Sequence, residues 1–200
     1  MNSLNELFED TVKDIYSGEK QALKGMQKML KKTTDAKLKQ TIETHIRETE
    51  EQIKQVEEVA RMGGFKPSGK VCAGMKGVVE EADEHLKEFE KGPVLDAAII
   101  ACAQKVEHYE IANYGTARTW AEQLGMADCA RILETILKQE ETADELLNQC
   151  ALGGVNEQAA RSDGSAKASG AAKRIGGSRA KTGSTASKGA AKPGGRAKML

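Results

Sequence analysis

The sequence predicts an all-α protein: a four-helix bundle with one long crossover connection, followed by a disordered C-terminal tail. Three observations carry that expectation. Residues 1–154 place apolar side chains at helical spacing and contain almost no strand-like alternation. The links between the helical segments are short, long and short in turn. The charge also divides sharply. The 200 residues hold 30 Lys and Arg against 30 Asp and Glu, but residues 155–200 have ten bases and two acids, a balance of +8. Residues 1–154 hold 20 bases and 28 acids, a balance of −8.

The first helix opens at Ser3 with Glu6 three residues on, a capping box. Its apolar stripe runs through Leu4, Leu7, Phe8, Val12, Ile15, Ala22, Leu23, Met26, Met29 and Leu30 until Thr33-Thr34-Asp35 breaks it. Thr34 or Asp35 caps the second helix, whose stripe of Leu38, Ile42, Ile46, Ile53, Val56 and Val59 stops at Gly63-Gly64. Residues 63–93 are rich in glycine and punctuated by Pro67 and Pro93, with one short helix expected from about Val78 to Phe89. A third long helix spans about Val94 to Leu124, Gly125 ends it, and a fourth spans about Ala127 to Cys150. Short loops make antiparallel neighbours, while a long middle segment can carry the chain back along the bundle. That connectivity is the one-crossover, ferritin-like arrangement, expected over residues 1–152.

No apolar run approaches the roughly 18 residues of a membrane-spanning helix, and the start, Met1-Asn2-Ser3-Leu4-Asn5-Glu6, does not read as a signal peptide. Cys72, Cys102, Cys129 and Cys150 are widely spaced, with no CxxC pair. They fit reduced, buried thiols of a cytoplasmic protein better than a zinc site or a disulfide framework.

Residues 153–200 are expected to be disordered. From 155 onward they hold 11 Ala, 8 Gly and 6 Ser, and too few large apolar residues to offset ordering entropy. Lys167, Lys173, Arg174, Arg179, Lys181, Lys188, Lys192, Arg196 and Lys198 are strung along them without an aromatic residue. This composition suits a solubilising tail, or an arm that binds DNA or another polyanion without sequence preference. An arm of this kind should lose affinity with salt at a log–log slope of roughly −5 to −7, for about 6–8 phosphate contacts. A gel-shift comparison of the full chain with residues 1–154 tests it. Only the full chain is expected to bind, and equal binding by both would reject the arm.

Acids on the buried stripes are the informative feature. Glu19 follows Ile15 in the first helix, and His45, Glu48/Thr49 and Gln52 interrupt the second. Glu107, beside Val106, and Glu110 do so in the third, and in the fourth Glu140/Glu141 and Asp144 follow Leu133 and Leu137 on the stripe. Unpaired buried carboxylates cost several kcal/mol, so converging ones must hold protons or a cation. An internal echo, Glu19 with Glu48 against Glu110 with Glu141, suggests two equivalent helix pairs around a two-metal site.

Four segments carry a resemblance. They are Asp14–Lys20, His45–Thr49, Glu140–Asp144 and above all Ala103-Gln104-Lys105-Val106-Glu107-His108-Tyr109-Glu110-Ile111-Ala112-Asn113-Tyr114-Gly115. They resemble the YciE/YciF family of ferritin-like bacterial proteins. The resemblance covers about residues 3–152 and implies a homodimeric ferritin-like bundle with a rubrerythrin-like pair of metal positions. Residue by residue, it points to Glu19, His45, Glu48, Glu107, Glu110, Glu141 and Asp144 as ligands; beside them, Tyr16, Tyr109, Tyr114 and Gln52, one turn after Glu48, are placed to support those ligands by hydrogen bonds. It implies two Fe ions, with Mn the other candidate, in a stress-related ferroxidase or rubrerythrin-like peroxidase. The alternative is a non-enzymatic stress or structural protein that binds a polyanion through its tail. The sequence departs from the Glu-x-x-His rule of di-iron bundles, having Glu48-x-x-Glu51 and Glu141-x-x-Asp144 instead. An oxygen-rich donor set of this kind suits Fe or Mn more than Zn.

Overall fold

The computed structural model describes residues 2–162. The nine basic residues singled out between Lys167 and Lys198 lie outside the described residues, as does the disorder expected there. The helices are α1 (Leu4–Lys32), α2 (Ala36–Met62), α3 (Ala73–Glu88), α4 (Pro93–Gln123) and α5 (Ala127–Cys150). Among the described residues there is no strand, and no helix is long and apolar enough to cross a membrane.

Local chemistry sets the ends. The Ser3 hydroxyl accepts from Glu6 N–H at 3.2 Å while the Glu6 carboxylate accepts from Ser3 N–H, also at 3.2 Å, so the expected capping box is present. Asp35 caps α2 by accepting from Leu38 N–H at 2.8 Å. Gly64 and Gly125, with φ of 79° and 72°, supply the left-handed turns that end α2 and α4.

The four long helices form a ring in which α1 touches α2 and α4, and α5 touches the same two helices. Two apolar clusters give their directions. Phe8 and Val12 of α1 share one with Val56 and Val59 of α2, Ala117 and Ala121 of α4, and Cys129 and Leu133 of α5. Met26 and Met29, Leu38 and Ile42, Leu95 and Ile99, and Leu147 and Cys150 share the other. Thus α1 and α5 run one way while α2 and α4 run the other. The segment between α2 and α4 must therefore cross the bundle's length, and within it α3 packs on α1 and α4. This is the predicted one-crossover topology.

Two boundaries differ from the sequence reading. The crossover helix starts at Ala73 rather than near Val78, because the Cys72 sulfur accepts from Met75 N–H at 3.3 Å. Gly74 and Gly77 in its first turns give a poor helix signal. The bundle also continues past the expected boundary at 152. The chain kinks at Gly154, with φ of 136°, and continues as helix over 156–162. Val155 is buried in the apolar cluster that also holds Cys150, which ties this part of the expected tail to the bundle. A tail truncation is therefore best cut after residue 162.

Asp96 is the polar anchor of the bundle end where α4 begins. It is buried and accepts from Thr34 N–H at 2.8 Å, Asp35 N–H at 2.9 Å and the Thr34 hydroxyl. Its carboxylate thereby pins the turn between α1 and α2 onto α4. Asp96→Ala would leave these donors unpaired and is expected to cost about 2–4 kcal/mol. Denaturant unfolding checks this: the midpoint should fall with the slope unchanged.

Candidate metal centre

Between the two apolar clusters lies a layer of buried polar side chains. It comprises Glu19 from α1, His45, Thr49 and Gln52 from α2, Glu107 and Glu110 from α4, and Glu140 from α5. Each occupies a core-facing position of its helix, which is why the layer sits at mid-bundle. Glu140 is 0% exposed, and Glu19 and Glu107 are each 1% exposed.

The layer holds more acceptors than donors. His45 Nε2 lies 3.1 Å from Glu107 Oε2 and 3.3 Å from Glu140 Oε2. Neither approach has hydrogen-bond geometry, so all three atoms remain without a partner. Glu19 Oε2 and Glu110 Oε1 are likewise unpartnered. The bonds that do exist orient the acids. Tyr114 donates its hydroxyl to Glu19 Oε1, and Gln52 donates to Glu140 Oε1 at 2.5 Å. On the outer side, Glu48 Oε2 is 3.3 Å from His45 Nδ1, and Thr49 donates to the His45 carbonyl at 2.9 Å.

Burial pushes the Glu19 carboxyl up to about 8, with the charge of Glu140 adding to it against the Tyr114 hydrogen bond. Burial likewise takes Glu107 to about 8 despite the attraction of His45. Glu110 is held well above the carboxylate range by burial and then by the charge of Glu19. Burial alone would make His45 less basic, yet the facing carboxylates, Glu107 foremost, raise it well above its ordinary value. Without a metal the layer thus retains protons near neutral pH.

One donor atom each from His45, Glu107, Glu110 and Glu140 can be chosen so that all four lie within 4.8 Å of one another. A buried His/Glu cluster that could hold a metal ion is therefore present. Oxygen donors with one imidazole suit Fe, Mn or Mg better than a thiolate-loving ion. The unpartnered oxygens are the observation that makes a cation fit, since His45 is the one basic side chain in the layer against four carboxyls, and a cation would supply the charge they lack once ionised.

The structure brings together Glu19, His45, Glu107 and Glu110 of the residues singled out in the sequence. Glu48 stays at the rim, its side chain 38% exposed. Glu141 is exposed, and Glu140 takes the buried place. Helix α5 faces the core with Leu133, Ile136, Glu140, Ala143 and Leu147, so a stripe drawn through Leu137 instead of Ile136 points one residue too far. Asp144 lies outside the cluster, accepting from Gln104 at 3.1 Å and lying 3.3 Å from His108 Nε2. Of the four supporting residues, Gln52 and Tyr114 touch acids of the layer. Tyr16 donates instead to Glu57 at 2.7 Å, and Tyr109 turns outward to Asp14 at 3.2 Å and the Cys72 sulfur at 3.1 Å.

Comparison with known proteins supplies the family. The model of a family described as a domain of unknown function, DUF892, matches residues 3–160. The chain belongs to the DUF892 family. Protein YciF of Escherichia coli (strain K12) is 40% identical over 160 residues, covering 80% of this chain and 96% of that protein. The crystal structure of that relative, named the E. coli stress protein YciF, matches with a TM-score of 0.75, covering 78% of this chain and 99% of the other. YcfI from Rhodopseudomonas palustris matches at 42% identity and a TM-score of 0.72, covering 74% and 94% of the two chains. A Xanthomonas campestris structure at 24% identity and a TM-score of 0.62 shares the fold, covering 80% of this chain and 98% of that one. The DUF892 match spans the whole polar layer, from Glu19 to Glu140.

Proposed function

We propose that this DUF892 protein binds a pair of ferrous ions in the buried layer and oxidises them with dioxygen or peroxide, as a ferroxidase or rubrerythrin-like peroxidase. The observation that carries this reading is the convergence of unpartnered oxygens from Glu19, Glu107, Glu110 and Glu140 beside the unpartnered Nε2 of His45. Four carboxylates carry the charge that two divalent ions balance.

Bound as a pair, ferrous iron supplies two electrons for reduction of the oxidant. His45, Glu107, Glu110 and Glu140 would hold one ion, and Glu19 would help to hold the second. Tyr114 and Gln52 fix Glu19 and Glu140 from behind, and Glu48 orients His45 through Nδ1, as supporting hydrogen bonds commonly do at metal sites. The apolar clusters on either side keep bulk water out. Among the described residues no four cysteines gather, since Cys72, Cys102, Cys129 and Cys150 are separate free thiols. Electrons beyond those of iron must therefore come from another molecule. The naming of the E. coli relative as a stress protein supports placing this chemistry in stress protection.

Anaerobic Fe(II) titration of the full chain, followed by dioxygen or peroxide and read by absorbance, tests the reading. Saturable ferrous binding and oxidation faster than that of free Fe(II) are expected. Absence of binding under argon would overturn it.

A further inference from the structure

A small, partly enclosed cavity borders the His45 and Glu107 side of the polar layer. It leaves about 10 Å³ for the centre of a water-sized sphere, room for one very small molecule. Met26, Ile42 and Leu147 wall it, and the short side chains of Ala103 and Ala143 leave the space open. Although Thr41, His45 and Glu107 also border it, the surface it presents is almost wholly apolar. Water in a buried site needs two to four polar partners, and hydrogen peroxide, with two O–H donors, has the same need. An apolar diatomic needs none. The cavity therefore combines a dry lining with direct contact to two members of the cluster.

We propose that this cavity docks dioxygen beside the metal centre, that Ala103 and Ala143 keep the space for it, and that dioxygen rather than peroxide is the preferred oxidant. The proposal rests on the iron reading above. In the balanced step, two Fe(II) each lose one electron, and one O₂ takes up both electrons with two protons from solvent and leaves as H₂O₂. Replacing either alanine with leucine fills the space while keeping every proposed ligand in the chain.

Docking can be read without iron. Dioxygen is paramagnetic, so under dioxygen pressure the methyl signals of Ala103, Ala143 and Leu147 in the metal-free full chain are expected to relax severalfold faster than those of Ala121 and Leu133. The latter two are buried in the other apolar cluster. Ala143→Leu should abolish the excess at Ala103 and Leu147, with the smaller Ala143→Val as a second variant should the leucine impair folding. In stopped flow, Ala143→Leu should slow oxidation by dioxygen about tenfold or more, because a displaced reactant loses its near-attack position. Anaerobic Fe(II) affinity and oxidation by peroxide should stay near the parent values. Equal relaxation in the two clusters would overturn the docking, and equal slowing with both oxidants would overturn the preference. A parent chain that binds no Fe(II) would instead defeat the iron reading, while the relaxation data still judge the cavity.

Discussion

Glu110→Gln combined with Glu140→Gln is expected to abolish ferrous binding while making the metal-free protein more stable. Both carboxyls are buried, and Glu110 Oε1 and Glu140 Oε2 have no partner. A glutamine keeps the shape and the acceptor that Gln52 uses at Glu140, and its amide N–H groups add donors to a layer that has few. Replacing buried ionisable groups by neutral ones of similar volume is often neutral or stabilising by about 1–4 kcal/mol, and in a chain of this length each kcal/mol raises Tm by roughly 2–4 °C. Metal affinity should fall by at least about 100-fold, since losing even a supporting residue costs 10–100-fold. Calorimetry with and without Mn(II) or Fe(II) under argon reads both effects. Glu141→Gln, on the exposed face, should change stability by no more than about 0.5 kcal/mol and leave binding intact. A destabilised double variant that still binds metal would contradict this.

The second large effect is a loss of stability with rising pH that added metal offsets increasingly as pH rises. Glu19 and Glu107, each raised to about 8, bind more protons in the native state than in the unfolded chain between about pH 4.5 and 8. The metal-free protein therefore loses their contribution as pH rises through that window. His45 acts in the same direction. Its raised value contributes stability below its ordinary value of about 6.5 that is lost as pH rises through the higher native one. A divalent ion replaces these protons, so its affinity should increase with pH. At a free metal concentration of 100 times Kd the ion adds about 2.7 kcal/mol, or roughly 5–11 °C in Tm. Melting curves at pH 5.5, 7 and 8.5, with and without Mn(II), should show a gap that widens with pH. A constant gap would mean that the ion binds elsewhere.

Much of this was legible in the sequence for definite reasons. Ser3 with Glu6, Asp35, Gly64 and Gly125 are strong local punctuation, and the short–long–short spacing of helices specifies the topology. Glu19, His45, Glu107 and Glu110 stood out because acids on an apolar stripe have few explanations. What was hidden depends on rotation and on distant contacts. Choosing Glu140 over Glu141 requires knowing that Ile136 rather than Leu137 faces inward, a turn of about 100° that two adjacent apolar residues cannot decide. Asp96 gave no signal because its partners, Thr34 and Asp35, lie some sixty residues away in the chain. The outward course of Tyr109 follows from its contact with Cys72 of the crossover, which helical periodicity does not describe.

The most direct test is an anomalous-scattering crystal structure of the full chain grown anaerobically with Fe(II). Two iron peaks are expected in the buried layer, bounded by Glu19, His45, Glu107, Glu110 and Glu140. A layer without iron, or iron bound only at the outward-facing Glu48, Glu141 or Asp144, would contradict the proposed centre.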